Sequence, residues 1–133
     1  MKYCTIICDI KNSKCLNHRQ DIQYKLIDML KITNDKFNDI IISPFVITVG
    51  DEWEGLLKYP SDFMNIIKFF NSFIPEIKFY SGIGIGNLSI IDPKLTTNQL
   101  YGSSFYRARD AINYAKKNNL PLVVLANGWK DIY

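Results

Sequence analysis

Residues Tyr3-Cys4-Thr5-Ile6-Ile7-Cys8 form an almost unbroken apolar run that stops at Asp9-Ile10-Lys11-Asn12-Ser13. A short run of this kind, bounded by turn residues, predicts a buried strand. Polar residues 11–19 lead to Ile22, Leu26, Met29, Leu30 and Phe37, which recur at spacings of four, three, one and seven. The spacing is helical and predicts one amphipathic helix over residues 18–38, its charged face in water. The helix start lies beside Asp9. Free backbone N–H groups and a positive dipole end are then close to Lys11, Asn12, Ser13 and Lys14, a place where phosphates could settle.

Residues 44–58 read as a β-hairpin, with β-branched and aromatic residues on both arms and Gly50-Asp51 supplying the turn. Ser61-Asp62 is suited to cap a second helix, since Phe63, Ile66, Ile67 and Phe70 follow at helical spacing and Pro75 ends it. A strand is predicted over 77–85. Gly82, Gly84 and Gly86 alternate along it, so one face carries no side chains and something can approach closely. Their spacing does not match a dinucleotide-binding fingerprint, and no helix opens there. The loop 87–102 is long for so small a domain and is a candidate lid or dimer element. Ser103 to Asn118 are predicted as a third helix with Ala108, Ala111, Ile112 and Ala115 inward, and residues 121–125 as a last strand. The order predicts an α+β domain over residues 1–133 with a ferredoxin-like βαββαβ core and an additional C-terminal helix and strand. In such a core the first and third strands are neighbours, which would bring Asp9 to the hairpin.

At 133 residues and 47% hydrophobic content the chain supports one core rather than two. Sixteen basic residues against thirteen acidic ones leave a net charge of +3, too mild for a dedicated duplex-DNA binder but compatible with a polyphosphate. On a strand Cys4 and Cys8 would stand about 13 Å apart, beyond disulfide reach. With Cys15 and His18 they match no paired zinc-ligand spacing, so they read as reduced cysteines. The first residues lack a signal-peptide core and no run is long enough to span a membrane, so the expected location is cytoplasmic.

The candidate chemistry lies in the carboxylates. Gly50-Asp51-Glu52 alone would be an ordinary acidic turn. Asp9 at the end of a strand changes that reading, because acids converging from two strands can hold two divalent ions for in-line phosphoryl transfer. Asp9 and Asp51 are the expected metal ligands, with the Ile10 carbonyl completing an oxygen shell for Mg²⁺ or Mn²⁺, two ions per active site. Glu52 is left either to bind the second ion or to orient the ligands of the first. Arg107, Arg109, Lys116 and Lys117 read either as phosphate ligands or as a solvated helix face. Tyr80, Tyr101, Phe105 and Tyr106 read as core or interface aromatics before base-stacking ones.

Cys8-Asp9-Ile10-Lys11-Asn12-Ser13, Val49-Gly50-Asp51-Glu52-Trp53, Ser81-Gly82-Ile83-Gly84-Ile85-Gly86 and Ala108-Arg109-Asp110-Ala111 through Lys116 together resemble the palm-type nucleotidyl cyclase superfamily. That superfamily includes the GGDEF diguanylate cyclases, the class III cyclases and the palm of CRISPR polymerases. The likeness spans residues 3 to about 125, and within the superfamily it is closest to SatD-like proteins and stand-alone minimal CRISPR polymerases. It implies that Asp9, Asp51 and Glu52 are the catalytic acids and that Lys11, Asn12, Ser13, Lys116 and Arg109 bind nucleotide or phosphate. Val49 stands where GGDEF has its first glycine and Trp53 where it has phenylalanine, so guanine specificity is not carried over.

The resemblance implies a nucleotidyl cyclase in which a 3′-hydroxyl attacks an α-phosphate and pyrophosphate leaves. The product would be a cyclic mononucleotide or dinucleotide, by analogy a cyclic di-adenylate used in antiviral signalling and read by a separate effector. It also implies a homodimer and ATP favoured over GTP. Template-directed polymerisation is not expected, since 133 residues leave no room to hold a duplex. A non-catalytic nucleotide-binding regulatory palm of the SatD-like kind is the alternative. A third reading, a structural interaction domain with a vestigial site, is disfavoured by the intact Asp9, Asp51 and Glu52.

Overall fold

A computed structural model describes residues 2–12, 19–88 and 102–127, and the backbone of 129–132. The elements run β1 (Tyr3–Ile10), α1 (Arg19–Lys36), β2 (Ile41–Ile47), β3 (Glu52–Lys58), α2 (Phe63–Phe73), β4 (Phe79–Gly86), α3 (Ser103–Asn118), β5 (Leu122–Ala126) and β6 (Trp129–Ile132). They form one six-stranded sheet in the order β2-β3-β1-β4-β5-β6. β1 is antiparallel to both β3 and β4, and β5 joins β4 in parallel before turning back as β6. The first four strands of that order, β2-β3-β1-β4, are the expected ferredoxin-like set, with β1 and β3 as neighbours. Sequence reading missed β6 and ended α1 two residues late, since the helix stops at Lys36 rather than 38. Residues 13–18, including Ser13, Lys14, Cys15 and His18, lie outside the described residues, as does the predicted lid segment from 89 to 101.

Period-two alternation divides the sheet into two faces. Cys4, Ile6, Cys8 and Ile10 of β1, Trp53 and Leu57 of β3, and Phe79, Ile83 and Ile85 of β4 point to one side. Leu26, Met29 and Leu30 of α1 and Ile66, Ile67 and Phe70 of α2 close that side into the main core. Phe70 is its hub, meeting the rings of Phe45, Trp53 and Phe79 at 5.4, 5.8 and 6.3 Å between centroids. Each such buried side chain contributes on the order of 1.5–3 kcal/mol. Cys4 and Cys8 are free and buried here, and burial pushes both thiols well above the ordinary cysteine range.

The other face of β4 is the glycine face, and α3 lies on it. A Cβ on Gly82 would come 2.3 Å from the Ile112 nitrogen, and one on Gly84 would come 2.1 Å from the Ser104 carbonyl oxygen and 2.2 Å from the Ala108 nitrogen. Helix backbone therefore rests directly on strand backbone, and the buried face of the helix is small at Ser104, Ala108, Ala111 and Ala115, with Ile112 packing against Ile7. Ser104 Oγ donates to the Gly84 carbonyl at 3.0 Å and shares a 2.7 Å hydrogen bond with Thr5 Oγ1.

Smaller departures have local causes. β2 begins at Ile41, three residues before the predicted hairpin arm, and its pairing with β3 shifts around Ser43 and Pro44. An edge strand tolerates a proline there because no ladder bond is lost. Asn34 of α1 satisfies the Phe45 backbone on this strand, its amide donating to the Phe45 carbonyl at 3.0 Å and accepting from the Phe45 N–H at 2.7 Å. Asp62 precedes α2 as predicted but makes no side-chain cap, its carboxylate accepting instead from the Asn65 amide at 2.7 Å. Among the described residues no helix is long and apolar enough to cross a membrane.

Gly84→Ala is expected to lower stability by about 3 kcal/mol, since the added methyl meets helix backbone that can only move as a unit. The urea midpoint measures this, and an unchanged midpoint would mean that α3 does not need the bare strand.

Candidate functional site

Asp9 and Glu52 are directly opposed in the β1–β3 pairing and share the α3 face of the sheet. The hairpin turn before Glu52 is tight: Glu52 N–H donates to the Val49 carbonyl and Thr48 N–H to the Glu52 carbonyl, both at 2.9 Å, with Gly50 at a left-handed φ of 56°. This turn places Asp51 at the end of β1, where Ile10 N–H donates to the Asp51 carbonyl oxygen at 3.3 Å. The convergence of Asp9, Ile10, Asp51 and Glu52 is therefore a product of strand register.

Each of the three carboxylates meets its own cation. Lys116 Nζ, in the last turn of α3, donates to Asp9 Oδ2. Arg19, the first residue of α1, donates to Asp51 Oδ2 at 3.0 Å. Arg109 forks onto Glu52, with Nη1 to Oε1 at 2.8 Å and Nη2 to Oε2 at 3.0 Å, and Thr48 Oγ1 donates to Oε2 at 3.0 Å. Burial acts to raise the Glu52 carboxyl, but the bonds and charge of Arg109, the Thr48 hydroxyl and the charge of Lys116 together hold it below the ordinary carboxylate value. Its fork in turn raises the Arg109 guanidinium. With the cations interposed, no three Asp, Glu, His or Cys side chains among the described residues stand together as a ready-made metal cluster. The donors themselves are carboxylate and carbonyl oxygens, which suit magnesium.

The phosphate-loop candidates are partly described. Lys11 N–H donates to the Lys78 carbonyl at 2.8 Å, and its ammonium stands 5.8 Å from the centre of the Tyr80 ring. Asn12 takes a left-handed φ of 56°, which asparagine tolerates at such bends. Arg107 is drawn away from the acids, donating to the Ile85 carbonyl at 2.7 Å. Tyr106 is exposed and touches Phe105 edge to face. Tyr101 lies outside the described residues.

Sequence reading left Arg19, like Lys14, between a phosphate ligand and a solvated cation, and it missed Thr48 and Glu54. Thr48 carries no local signal, being an ordinary polar residue near an element end. Glu54 did carry one: in Glu52-Trp53-Glu54 the alternation sets the second glutamate on the face of the first. Glu54 is only 1% exposed and its Oε2 has no hydrogen-bond partner. Burial drives its carboxyl up, Arg109 opposes this and Glu52 adds to it, leaving it at about 7.

A folded value near 7 lies above the ordinary 4.5, so between those limits the folded state holds a proton that the unfolded chain has released. Stability should fall as pH rises from about 4.5 and level off above about 7, a loss on the order of 3 kcal/mol. Urea titrations across that range are expected to show the fall in the parent chain and a flatter profile, more stable at pH 8, in Glu54→Gln. Parallel profiles would exclude Glu54 as its source.

Comparison with known proteins agrees with this architecture. The sequence profile of the SatD family matches residues 3–123. No curated protein sequence matches the chain. Among solved structures, the diguanylate cyclase SiaD of Pseudomonas aeruginosa, in complex with its activator SiaC, is similar with a TM-score of 0.63 and 13% identity. That similarity covers 94% of this chain and 50% of SiaD, so the chain spans half the length of that neighbour. The dimeric guanylyl cyclase domain of the RhoGC fusion protein from the aquatic fungus Blastocladiella emersonii is similar with a TM-score of 0.52 and 16% identity, over 84% of this chain and 73% of that one. The catalytic core of a rhodopsin-guanylyl cyclase of converted specificity, in complex with ATPαS, has a TM-score of 0.52 and 15% identity over 84% and 71%. At such identities the likeness is one of fold, that of a palm-type cyclase domain. With its profile matched over nearly the whole sequence and its helices and strands arranged as a palm, the chain belongs to the SatD family.

Proposed function

We propose that this palm is a nucleotidyl cyclase that joins a nucleotide 3′-hydroxyl to an α-phosphate and releases pyrophosphate. The observation that carries the reading is the meeting of Asp9, at the end of β1, with the Asp51-Glu52 turn through the β1–β3 register. The cyclase folds of the structural neighbours support it. Asp9, Asp51 and the Ile10 carbonyl would hold Mg²⁺ or Mn²⁺, two ions per site, which when bound supply positive charge for the phosphates and make the hydroxyl a better nucleophile. Lys116 and Arg19 are each about half-exposed. Both can swing from their carboxylates onto phosphate oxygens as a nucleotide arrives. Arg109, held by two bonds, keeps Glu52 oriented rather than leaving it. As the new oxygen–phosphorus bond forms, the bond from the α-phosphorus to the bridging oxygen breaks; pyrophosphate leaves with that electron pair and one added negative charge, matched by the hydroxyl proton that passes to solvent.

A homodimer with facing sites would join two nucleotides into a cyclic dinucleotide, whereas attack within one site gives a cyclic mononucleotide. Resemblance to minimal CRISPR polymerases favours ATP as substrate and an antiviral effector as reader, in the cytoplasm. The second reading, a regulatory palm that binds nucleotide without turning it over, is favoured by one feature: Asp9, Asp51 and Glu52 are each already paired with a cation of the chain itself.

Incubation with each nucleoside triphosphate and Mg²⁺ or Mn²⁺ is expected to release pyrophosphate and yield a cyclic product identifiable by mass spectrometry. Asp51→Asn should reduce release by at least about a hundredfold with the fold intact by circular dichroism. Unchanged release in that variant would remove the metal-ligand assignment. Tight nucleotide binding by the parent chain with no release from any of the four would select the regulatory reading.

A further inference from the structure

Where β1 finishes and β4 begins, a cavity of about 480 Å³ opens beside the acidic site. That volume lies in the range of sites for small molecules and cofactors. Buried Ile77 and Phe79 line it, together with the apolar surfaces of Pro75, Leu120 and Pro121. Its walls are pinned to the sheet. The Tyr80 hydroxyl donates to Asn119 Oδ1 at 3.2 Å, and Ser81 N–H donates to the Pro121 carbonyl at 2.9 Å. Asn119 itself ends α3 at a left-handed φ of 53°, turning the chain into the wall.

The charges around it differ from those at the acids. Lys11 and Lys78 line the cavity, and among the described residues no carboxylate does. Arg19, Arg109 and Lys116 are committed to acids, whereas neither Lys11 nor Lys78 has an acidic partner among the described residues. Glu76, the nearest acid in sequence, is taken by Lys25 at 2.7 Å. Both α2 and α3 end here, each bringing roughly half a negative charge on its last carbonyls, and two full positive charges exceed that sum. The apolar walls suit the faces of a base, and the two ammonium groups suit phosphate. The cavity also adjoins the acids, because Asp9 faces Tyr80 across the β1–β4 pairing and Lys11 bonds to Lys78.

We propose that this cavity seats the nucleoside part of a nucleotide, with its phosphate chain running past Lys11 and Lys78 towards Asp9. The inference rests on the nucleotide reading above and locates the ligand within it. Amide chemical-shift mapping with ATP, and separately with pyrophosphate alone, both in EDTA, tests it on the parent chain and on Lys78→Ala and Lys78→Glu. ATP is expected to shift Tyr80, Asn119 and Leu120 and to bind Lys78→Glu about tenfold more weakly or worse. Pyrophosphate should leave Asn119 and Leu120 unmoved. The seat is overturned if ATP does not bind, if its shifts are confined to α1 and the β2–β3 hairpin, if pyrophosphate reproduces them, or if both folded Lys78 variants bind normally. Shifts in the cavity without metal-dependent pyrophosphate release would sink the cyclase reading and keep the seat; release with shifts elsewhere would do the reverse.

Discussion

The contact between the α3 backbone and the bare face of β4 is the constraint on which the rest of the molecule depends. Gly82 and Gly84 let the helix descend until its peptide groups touch those of the strand. At that height the helix is close enough for Arg109 to reach Glu52 and, two turns on, for Lys116 to reach Asp9. A helix held farther off by side chains would leave both acids without these partners. Ser104, bonded to Gly84 and Thr5, fixes the helix along its axis, so the height and the register of the two cations are set together.

Charge balance is the second theme. Three acids close to one another repel. One lysine and two arginines drawn from both sides of the sheet offset that repulsion, and they differ in how firmly they are held. Arg109 is forked onto a carboxylate that a threonine also braces, a geometry lysine cannot reproduce. Arg19 and Lys116 make single contacts and stay well exposed. The site thus separates one fixed pair from two exchangeable ones, which suits an anionic ligand that must find cations on arrival.

The same strand that carries Glu52 carries two polar costs. Trp53 Nε1 and Glu54 Oε2 are buried without hydrogen-bond partners. Each unpaired group costs on the order of 1–3 kcal/mol. Trp53 offsets its own through the aromatic contacts around Phe70. Glu54 avoids the larger penalty of a buried charge by holding a proton up to about pH 7, two residues along the strand from Glu52, whose carboxyl is held below the ordinary value.

Much of this was legible in the chain. Alternation and helical spacing located all three helices, α3 at its observed bounds, and the core strands, because burial of one face is a local property of periodic sequence. Asp9 and the Asp51-Glu52 turn stood out as acids at the ends of apolar runs, and the alternating glycines foretold a close neighbour without saying which. What tertiary structure decided were the partners. That α3 is the neighbour, that Arg109 serves Glu52 rather than remaining a loose surface cation, that Arg19 meets Asp51 across 32 positions, and that Lys11 and Lys78 flank a cavity all follow from strand order and helix height. Those depend on contacts between residues far apart in sequence, and no local pattern of hydrophobic and polar positions encodes which distant groups will be brought within hydrogen-bonding distance.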